Sequence, residues 1–435
     1  MGGSNKNYTI IEYGGFSRGS KPPPAGYQPL PEGTFDALED LILANNSEKE
    51  TETEACELLS LSSKHGVKTI TAKNYVGVVT MRDGTVVEIL PKIYGGDVGV
   101  EETRRIFLAM LRALNDVSFK AFNFSSLRAE RLTLFEVFIS MFIAEVATLV
   151  KQGLKSWYIP VEANERFFKG KVNVARDIKD NFARRDRVFV EYDEWSLDRP
   201  ENRLLKETLL FLCKQTGSSR NRQDIMRLLC VFDAVTPSAD IEGDFSKCSV
   251  SRMMSHYEKA LSWCRLFLRR NSFTAFAGSE IAVALLFPME KVFESYVARK
   301  LRQAMPYDAE LSTQDGRYSL FKTATGGKAF RLRPDIVLCS GEGVFVMDTK
   351  WKLLDVEATN YGIAQADMYQ MYAYGKKYNA KKVILIYPQP DNYSGGIISF
   401  SSGDGVAAEI AFIDLMDPDG SLAALSERLR GRPHA

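Results

Sequence analysis

Histidine and closely spaced cysteines are what this chain has least of. Its 435 residues include three histidines, His65, His256 and His434, and six cysteines, Cys56, Cys213, Cys230, Cys248, Cys264 and Cys339. The cysteines are scattered and no CxxC pair occurs. That excludes a zinc site of the usual spacing and leaves no four-cysteine group for an iron–sulfur cluster, so buried, reduced thiols are expected. An excess of one charge is missing too. Against 56 Lys and Arg stand 55 Asp and Glu, a net +1. No global field attracts nucleic acid, so local basic clusters or a partner must hold it. No Walker A sequence occurs, which leaves the chain without a P-loop nucleotide site. No signal peptide is visible. The apolar stretch 132–150 carries Glu136 and Glu145 with helical periodicity, and predicts a buried helix rather than a membrane span. A cytoplasmic protein with no membrane partner is expected.

What is present is ordinary in bulk and informative in detail. The length suits two or three domains, and 45% apolar with 26% charged residues is the composition of a soluble globular protein. A strand is predicted over Tyr8–Glu12, a Gly/Ser/Pro-rich loop over 14–33, and a helix over 35–43. The segment 69–93 reads as strand, turn, strand around Arg82-Asp83-Gly84. Helical spacing follows over 101–114 and 132–152, a β-rich basic stretch over 162–190, then helices from Arg203 to about 271. Periodicity pauses at 272–278. Beyond it helix and strand alternate: helix 288–305, strands 318–323, 334–339 and 343–350, helix 364–378, strand 382–387, and a strand pair at 396–400 and 407–414. The reading is an α+β amino-terminal region, 1–275, possessing one or two lobes, followed by an α/β domain, 276–435.

The chemistry concentrates in the second part. Pro334-Asp335 opens one apolar run, and Asp348-Thr349-Lys350 closes the next. Alternate side chains of a strand share a face, so Asp348 and Lys350 point the same way. If the runs pair as a hairpin, Asp335 meets Asp348. Two carboxylates, with the backbone carbonyl of Thr349, suit a hard cation such as Mg²⁺, with Mn²⁺ as substitute; Lys350 can hold an attacking water or stabilise developing charge. Glu294 borders the apolar stripe of the helix before them and is a further candidate ligand. Gln370 and Tyr374, at i and i+4, share a helix face and can hold a phosphate or a ligated water. Lys352 continues the face of Lys350 if the strand persists. Each residue also has a plainer reading: Asp348 and Lys350 as a charged strand face, Glu294 as a solvated helix residue, Gln370 and Tyr374 as helix packing with polar tips. The combination in this order is the specific signal.

That order resembles the PD-(D/E)xK nuclease superfamily, and the Gln370/Tyr374 pair its RecB-like branch. More narrowly, the chain resembles the McrC family, nuclease subunits of McrBC-type modification-dependent restriction systems. The residues that carry the resemblance are Lys73-Asn-Tyr-Val-Gly77, Glu88-Ile-Leu-Pro-Lys92, Gly170-Lys-Val, Tyr192-Asp-Glu-Trp-Ser196, Asn202-Arg-Leu-Leu-Lys206, Phe293-Glu294, Arg333-Pro-Asp335, Asp348-Thr-Lys-Trp-Lys352 and Asp367-Met-Tyr-Gln-Met-Tyr-Ala-Tyr374. The resemblance implies a restriction-endonuclease-like fold for 276–435 and partner binding for 1–275. It implies Mg²⁺-dependent hydrolysis of DNA leaving a 5′-phosphate. It also implies a partner, an McrB-like AAA+ GTPase hexamer that binds the GTP, reads double-stranded DNA carrying modified bases of the 5-methylcytosine type, and is stimulated by the amino-terminal part of this chain.

Two rivals stand beside it: an assembly subunit that activates a GTPase without cutting, and a RecB-like nuclease acting alone. The basic stretch contains Arg166, Lys169, Lys171, Arg184 and Arg185 with Phe167, Phe168 and Phe182. It reads either as a pore-inserting or DNA-guiding hairpin or as a solvated, charge-balanced ribbon. The segments 192–196 and 202–206 are expected to brace a domain junction.

Overall fold

A computed structural model describes residues 7–19, 23–47, 59–64, 66–93, 98–114, 132–183, 186–248, 255–268, 281–305, 309–355, 357–391, 393 and 397–430. They form a mixed α/β structure in two compact units, 1–134 with 273–435 and, inserted between them, 135–272. The expected division at 275 thus meets one of the two chain crossings. The first 134 residues form one unit with the carboxyl-terminal part. The pause expected at 272–278 lies outside the described residues, as does the acidic run 48–54.

The larger unit begins with β1 (Asn7–Ile11), β2 (Gly15–Arg18), β3 (Tyr27–Leu30), α1 (Glu32–Ser47), β4 (Leu59–Lys64), β5 (Val67–Ala72), β6 (Tyr75–Met81), β7 (Val86–Leu90) and α2 (Val100–Leu111). One four-stranded sheet runs β3-β2-β5-β4. The second is β1-β7-β6-β11, and its last strand, β11 (Ile281–Pro288), comes from beyond the insertion. β11 pairs antiparallel with β6, Leu286 opposite Gly77. This distant pairing is why the first 134 residues share a unit with the last part. Periodicity cannot show it, because β11 is a short continuous apolar run without alternation.

The smaller unit comprises α3 (Leu134–Gln152), β8 (Trp157–Glu165), β9 (Lys171–Val172), α4 (Val174–Asn181), β10 (Val188–Ser196), α5 (Pro200–Gln215), α6 (Ser219–Val231), α7 (Ile241–Lys247) and α8 (Ser255–Leu268). Phe138, Phe142, Trp263 and Phe267 form its core, with Trp263 stacked on Phe267 at 5.6 Å. Glu136, expected to be buried, is so because it is satisfied. Its carboxylate accepts from the Thr216 hydroxyl (2.7 Å), the Gly217 amide (2.6 Å) and Asn221 Nδ2 (2.7 Å). The basic stretch is not purely β. α4 interrupts it, started by Asn173, whose side chain accepts from the Arg176 amide. Gly170, at φ +70°, is required there, since a Cβ would lie 2.2 Å from the Glu191 carbonyl.

The remaining elements are α9 (Met289–Ala304), β12 (Glu310–Thr313), β13 (Ser319–Lys322), β14 (Lys328–Arg331), β15 (Ile336–Ser340), β16 (Gly343–Thr349), α10 (Gln365–Tyr378), β17 (Lys382–Pro388), β18 (Ile398–Ser401), β19 (Ala407–Ile413) and α11 (Pro418–Leu429). Six strands form one sheet in the order β12-β15-β16-β17-β19-β18, and β13-β14 is a separate ribbon. β16, β17 and β19 are mutually parallel, and β15 is antiparallel to β16. Central strands read as continuous apolar runs because both faces are covered. α9 and α10 both pack on β16. α10 approaches closely at Gly375, where a Cβ would stand 2.6 Å from Val406 Cγ1. Among the described residues no helix is long and apolar enough to cross a membrane.

Candidate active site

β15 and β16 pair with Ile336 opposite Met347. One step further along that register Asp335 meets the end of β16, as the hairpin reading requires. Asp335 Oδ2 accepts from the Thr349 amide at 2.7 Å and the Thr349 hydroxyl at 2.8 Å. These bonds fix its carboxylate against the neighbouring strand.

Asp348 is 2% exposed. Its Oδ2 lies 2.5 Å from Lys350 Nζ. That contact is a buried, charge-assisted ion pair. β16 ends at Thr349, yet the Lys350 amide still donates to the Ile386 carbonyl at 2.9 Å. The lysine is therefore held by backbone pairing on one side and by α10 on the other. Its Nζ is 3.4 Å from Gln370 Oε1 and 3.9 Å from Asp367 Oδ1. Gln370 Nε2 in turn donates to the Tyr374 hydroxyl at 2.8 Å. The i, i+4 spacing thus builds a chain of polar contacts from Lys350 into α10.

The strand does not persist to Lys352. That residue nevertheless reaches the same carboxylate as Lys350, pairing with Asp367 at 2.5 Å. Glu294, on α9, reaches the aspartates through a residue the sequence did not single out. Gln314 Nε2 donates to Glu294 Oε1 at 2.7 Å and to Asp335 Oδ1 at 3.0 Å. Gln314 adopts φ +50° and follows the last residue of β12, which pairs with β15. In sequence it is only part of a turn-like Gln-Asp-Gly. Asp367 was visible as a motif residue without a role; helical spacing to Gln370 is the signal that could have given it one.

Burial acts on all three carboxylates, and like charge adds to it at Asp348 and Glu294. Burial, then the neighbouring Asp335, push Asp348 up to about 6 despite Lys350. Burial, then Asp335, lift Glu294 to about 7. Asp335 is raised chiefly by burial, against the two Thr349 donors. Lys350 is also raised: burial favours its neutral form, but Asp348, Asp367 and Asp335 together outweigh that. Asp335, Asp348 and Glu294 crowd their charges together, and the Lys350 ammonium beside Asp348 offsets only part of them. That fits a hard divalent cation. Among the described residues no three His, Cys, Asp or Glu side chains form a ready-made metal cluster. The fitting donors are therefore Asp335 and Asp348, with the carbonyl of Thr349 between them in the chain.

A second element rests against this site. Trp351, which follows Lys350, is 5% exposed and donates its indole N–H to both carboxylate oxygens of Glu12, at 3.1 and 2.9 Å. Phe293, beside Glu294, packs on the same indole at 5.4 Å. Burial raises Glu12 to about 7.

Of the partner-contact candidates in the smaller unit, Arg166, Lys169 and Lys171 are exposed, and Arg184 and Arg185 lie outside the described residues. Lys169 Nζ sits 3.7 Å from the centre of the Tyr192 ring. Phe167, Phe168 and Phe182 in the same stretch, and Trp157, Tyr158 and Trp195 at the other end of the β8–β10 pairing, are each between 55% and 85% exposed.

Comparisons with known proteins bear on the whole chain. A family model described as McrBC 5-methylcytosine restriction system component matches residues 70–388. No curated protein matches. The fold is similar to a chain in the refined half-complex from a tetradecameric assembly of Thermococcus gammatolerans McrB AAA+ hexamers with bound McrC. There the TM-score is 0.70 at 18% identity, covering 97% of this chain and 99% of that one. It is also similar to a chain in the cryo-EM structure of the Thermococcus gammatolerans McrBC complex, with a TM-score of 0.53 at 21% identity over 69% of this chain and 88% of that one.

Proposed function

The chain belongs to the McrBC 5-methylcytosine restriction system component family, and from that premise we propose that it is the DNA-cutting subunit of such a system. Its activity is Mg²⁺-dependent hydrolysis of a phosphodiester in DNA carrying modified bases, carried out on a PD-(D/E)xK-type domain. It works with an McrB-like AAA+ GTPase hexamer, whose GTP hydrolysis it stimulates. The supporting observation is the convergence of Asp335, Asp348 and Lys350, backed by Gln370, Tyr374 and Glu294, at one end of one sheet. Solved relatives of the same fold come from assemblies of McrB with McrC.

Asp335 and Asp348 would hold the cation, and Thr349 would lend its carbonyl. When bound, Mg²⁺ supplies charge stabilisation at the phosphate and lowers the pKa of a coordinated water. Thr349 holds Asp335 in place by two hydrogen bonds, so that carboxylate need not reorganise. Lys350 presents its ammonium beside Asp348, where it can orient the attacking water or neutralise charge gathering on phosphate oxygens. Gln370, joined to Tyr374, fixes the lysine from the other side. Glu294, tied to Asp335 through Gln314, would stand at the flank of the cation as a further ligand. In the smaller unit, the exposed rings with Arg166, Lys169 and Lys171 have the composition of a docking surface. We assign that surface to the GTPase partner.

The test mixes the purified chain, the AAA+ GTPase, GTP, Mg²⁺ and a methylated duplex. Lys350→Ala should abolish cleavage while GTPase stimulation persists. Cleavage that survives the substitution with stimulation intact would leave only an assembly and activation role.

A further inference from the structure

Between β12 and β15 the chain makes an excursion that the site does not need for its own geometry. It leaves at Gln314, which bridges Glu294 and Asp335, and returns at Asp335. Between them β13 and β14 form their own two-stranded ribbon, Phe321 opposite Ala329 and Lys322 opposite Lys328. Its base is fastened to α10: the Tyr378 hydroxyl donates to the Asp315 carbonyl at 2.9 Å, and Tyr318 packs edge-on to Tyr378 at 4.7 Å.

The composition of this excursion is one-sided. Residues 316–334 contain Arg317, Lys322, Lys328, Arg331 and Arg333 and no Asp or Glu, in a chain whose net charge is +1. All five are exposed. Arg317 is neutralised by Asp315 at 2.6 Å. Among the described residues the other four have no acidic partner. Lys328 and Arg331 touch only the carbonyls of Arg317, at 3.1 Å, and Gly316, at 2.7 Å. Between the cations stand two rings, Phe321 at 61% and Phe330 at 75% exposure, edge to face at 6.0 Å. Phe330 is held at φ +54°, a conformation costly for a bulky residue. A ribbon built for its own stability would turn these rings inward and pair its charges. Cations without acidic partners suit backbone phosphates, and exposed rings suit the apolar sugar faces between them.

We propose that the β13–β14 ribbon is the DNA grip of the site: Lys322, Lys328, Arg331 and Arg333 engage backbone phosphates of the duplex, and Phe321 and Phe330 pack against its sugars or bases. This rests on the nuclease reading and deepens it, since the ribbon's two roots are the site's own polar groups. Phosphates held along the ribbon are delivered to Asp335 by chain continuity through Arg333-Pro334.

The full chain and a labelled 30-base-pair duplex provide the test, with affinity read by fluorescence anisotropy across salt concentrations. Lys322→Ala with Lys328→Ala should weaken binding about tenfold and flatten the dependence of log affinity on log salt by about two contacts' worth. Phe321→Ala with Phe330→Ala removes only exposed rings. It should weaken binding several-fold and leave the salt slope unchanged, with melting temperatures unaltered. Unchanged affinity and slope in both variants would overturn the proposal. So would absence of salt-dependent binding by the unsubstituted chain at 50 mM salt, or loss of partner association with DNA binding intact, which would make the ribbon a protein-docking element. Asp348→Ala separates the two readings: it should lose cleavage and keep binding, and cutting by that variant would refute the catalytic assignment alone.

Discussion

The sheet-end site and the ribbon of β8, β9 and β10 use the same residue types in opposite ways. At the site charged groups are buried and answer one another: Asp348 is 2% exposed and paired with Lys350, and Asp335 is pinned by Thr349. In the smaller unit the cations and rings face outward, Phe167 at 82% and Phe182 at 85% exposure. Burial shifts pKa values and fixes geometry, which chemistry needs. Exposure leaves apolar area and charge for another molecule to cover. The two regions should therefore fail separately, one in cutting and the other in assembly.

The sharpest break in this contrast is Asp348→Ala. Cleavage by the complex should fall by about 10³-fold or more, with GTPase stimulation unaltered, as single-turnover kinetics and phosphate release would record. The converse substitution is Phe167→Ala with Phe168→Ala. Association with the GTPase should weaken by about tenfold or more in titration calorimetry, because exposed aromatic anchors carry a large share of interface energy. Equal loss of both functions in either variant would erase the distinction.

Two smaller effects probe the buried side alone. Trp351→Phe leaves the Glu12 carboxylate without its indole donor. The carboxylate keeps the Lys92 amide at 3.3 Å, and loss of the indole bond should cost about 1–3 kcal/mol in denaturant unfolding. Glu12 is raised to about 7, so it is protonated in the folded state at pH 5 and charged above pH 7. The cost should thus be small at pH 5 and full above pH 7. Glu294→Gln should act the other way. A carboxylate raised to about 7 takes up more protons folded than unfolded between its unfolded value and that point. Its ionisation thus lowers stability as pH rises through the window. Without metal, the variant should be about 1 kcal/mol more stable than the parent at pH 8 and equal to it at pH 4, after discounting for partial exposure.

The proximity of the candidate-site residues was legible because their order is local. Pro334-Asp335 and Asp348-Thr349-Lys350 sit on adjacent strands joined by a short turn, so a period of two suffices to place them together. Gln370 and Tyr374 follow from one helical turn. Gln314, Trp351 and Glu12 were not legible in this way. Gln314 matters only because β12 pairs with β15, and Glu12 meets Trp351 across 339 positions of chain. The same holds for β11, whose partner β6 lies far upstream, and it is why the two units divide the chain differently from the expected halves. The helix α4 was hidden in a stretch read as β-rich and basic throughout. Its start depends on one capping side chain, Asn173.

The central claim is that Asp335 and Asp348 together hold a divalent cation. Electron paramagnetic resonance of Mn²⁺ titrated into the full chain with a methylated duplex tests it most directly. The account predicts a bound ion that is lost in both Asp335→Asn and Asp348→Asn and retained in Phe167→Ala with Phe168→Ala. Undiminished Mn²⁺ binding in the two aspartate variants would contradict it.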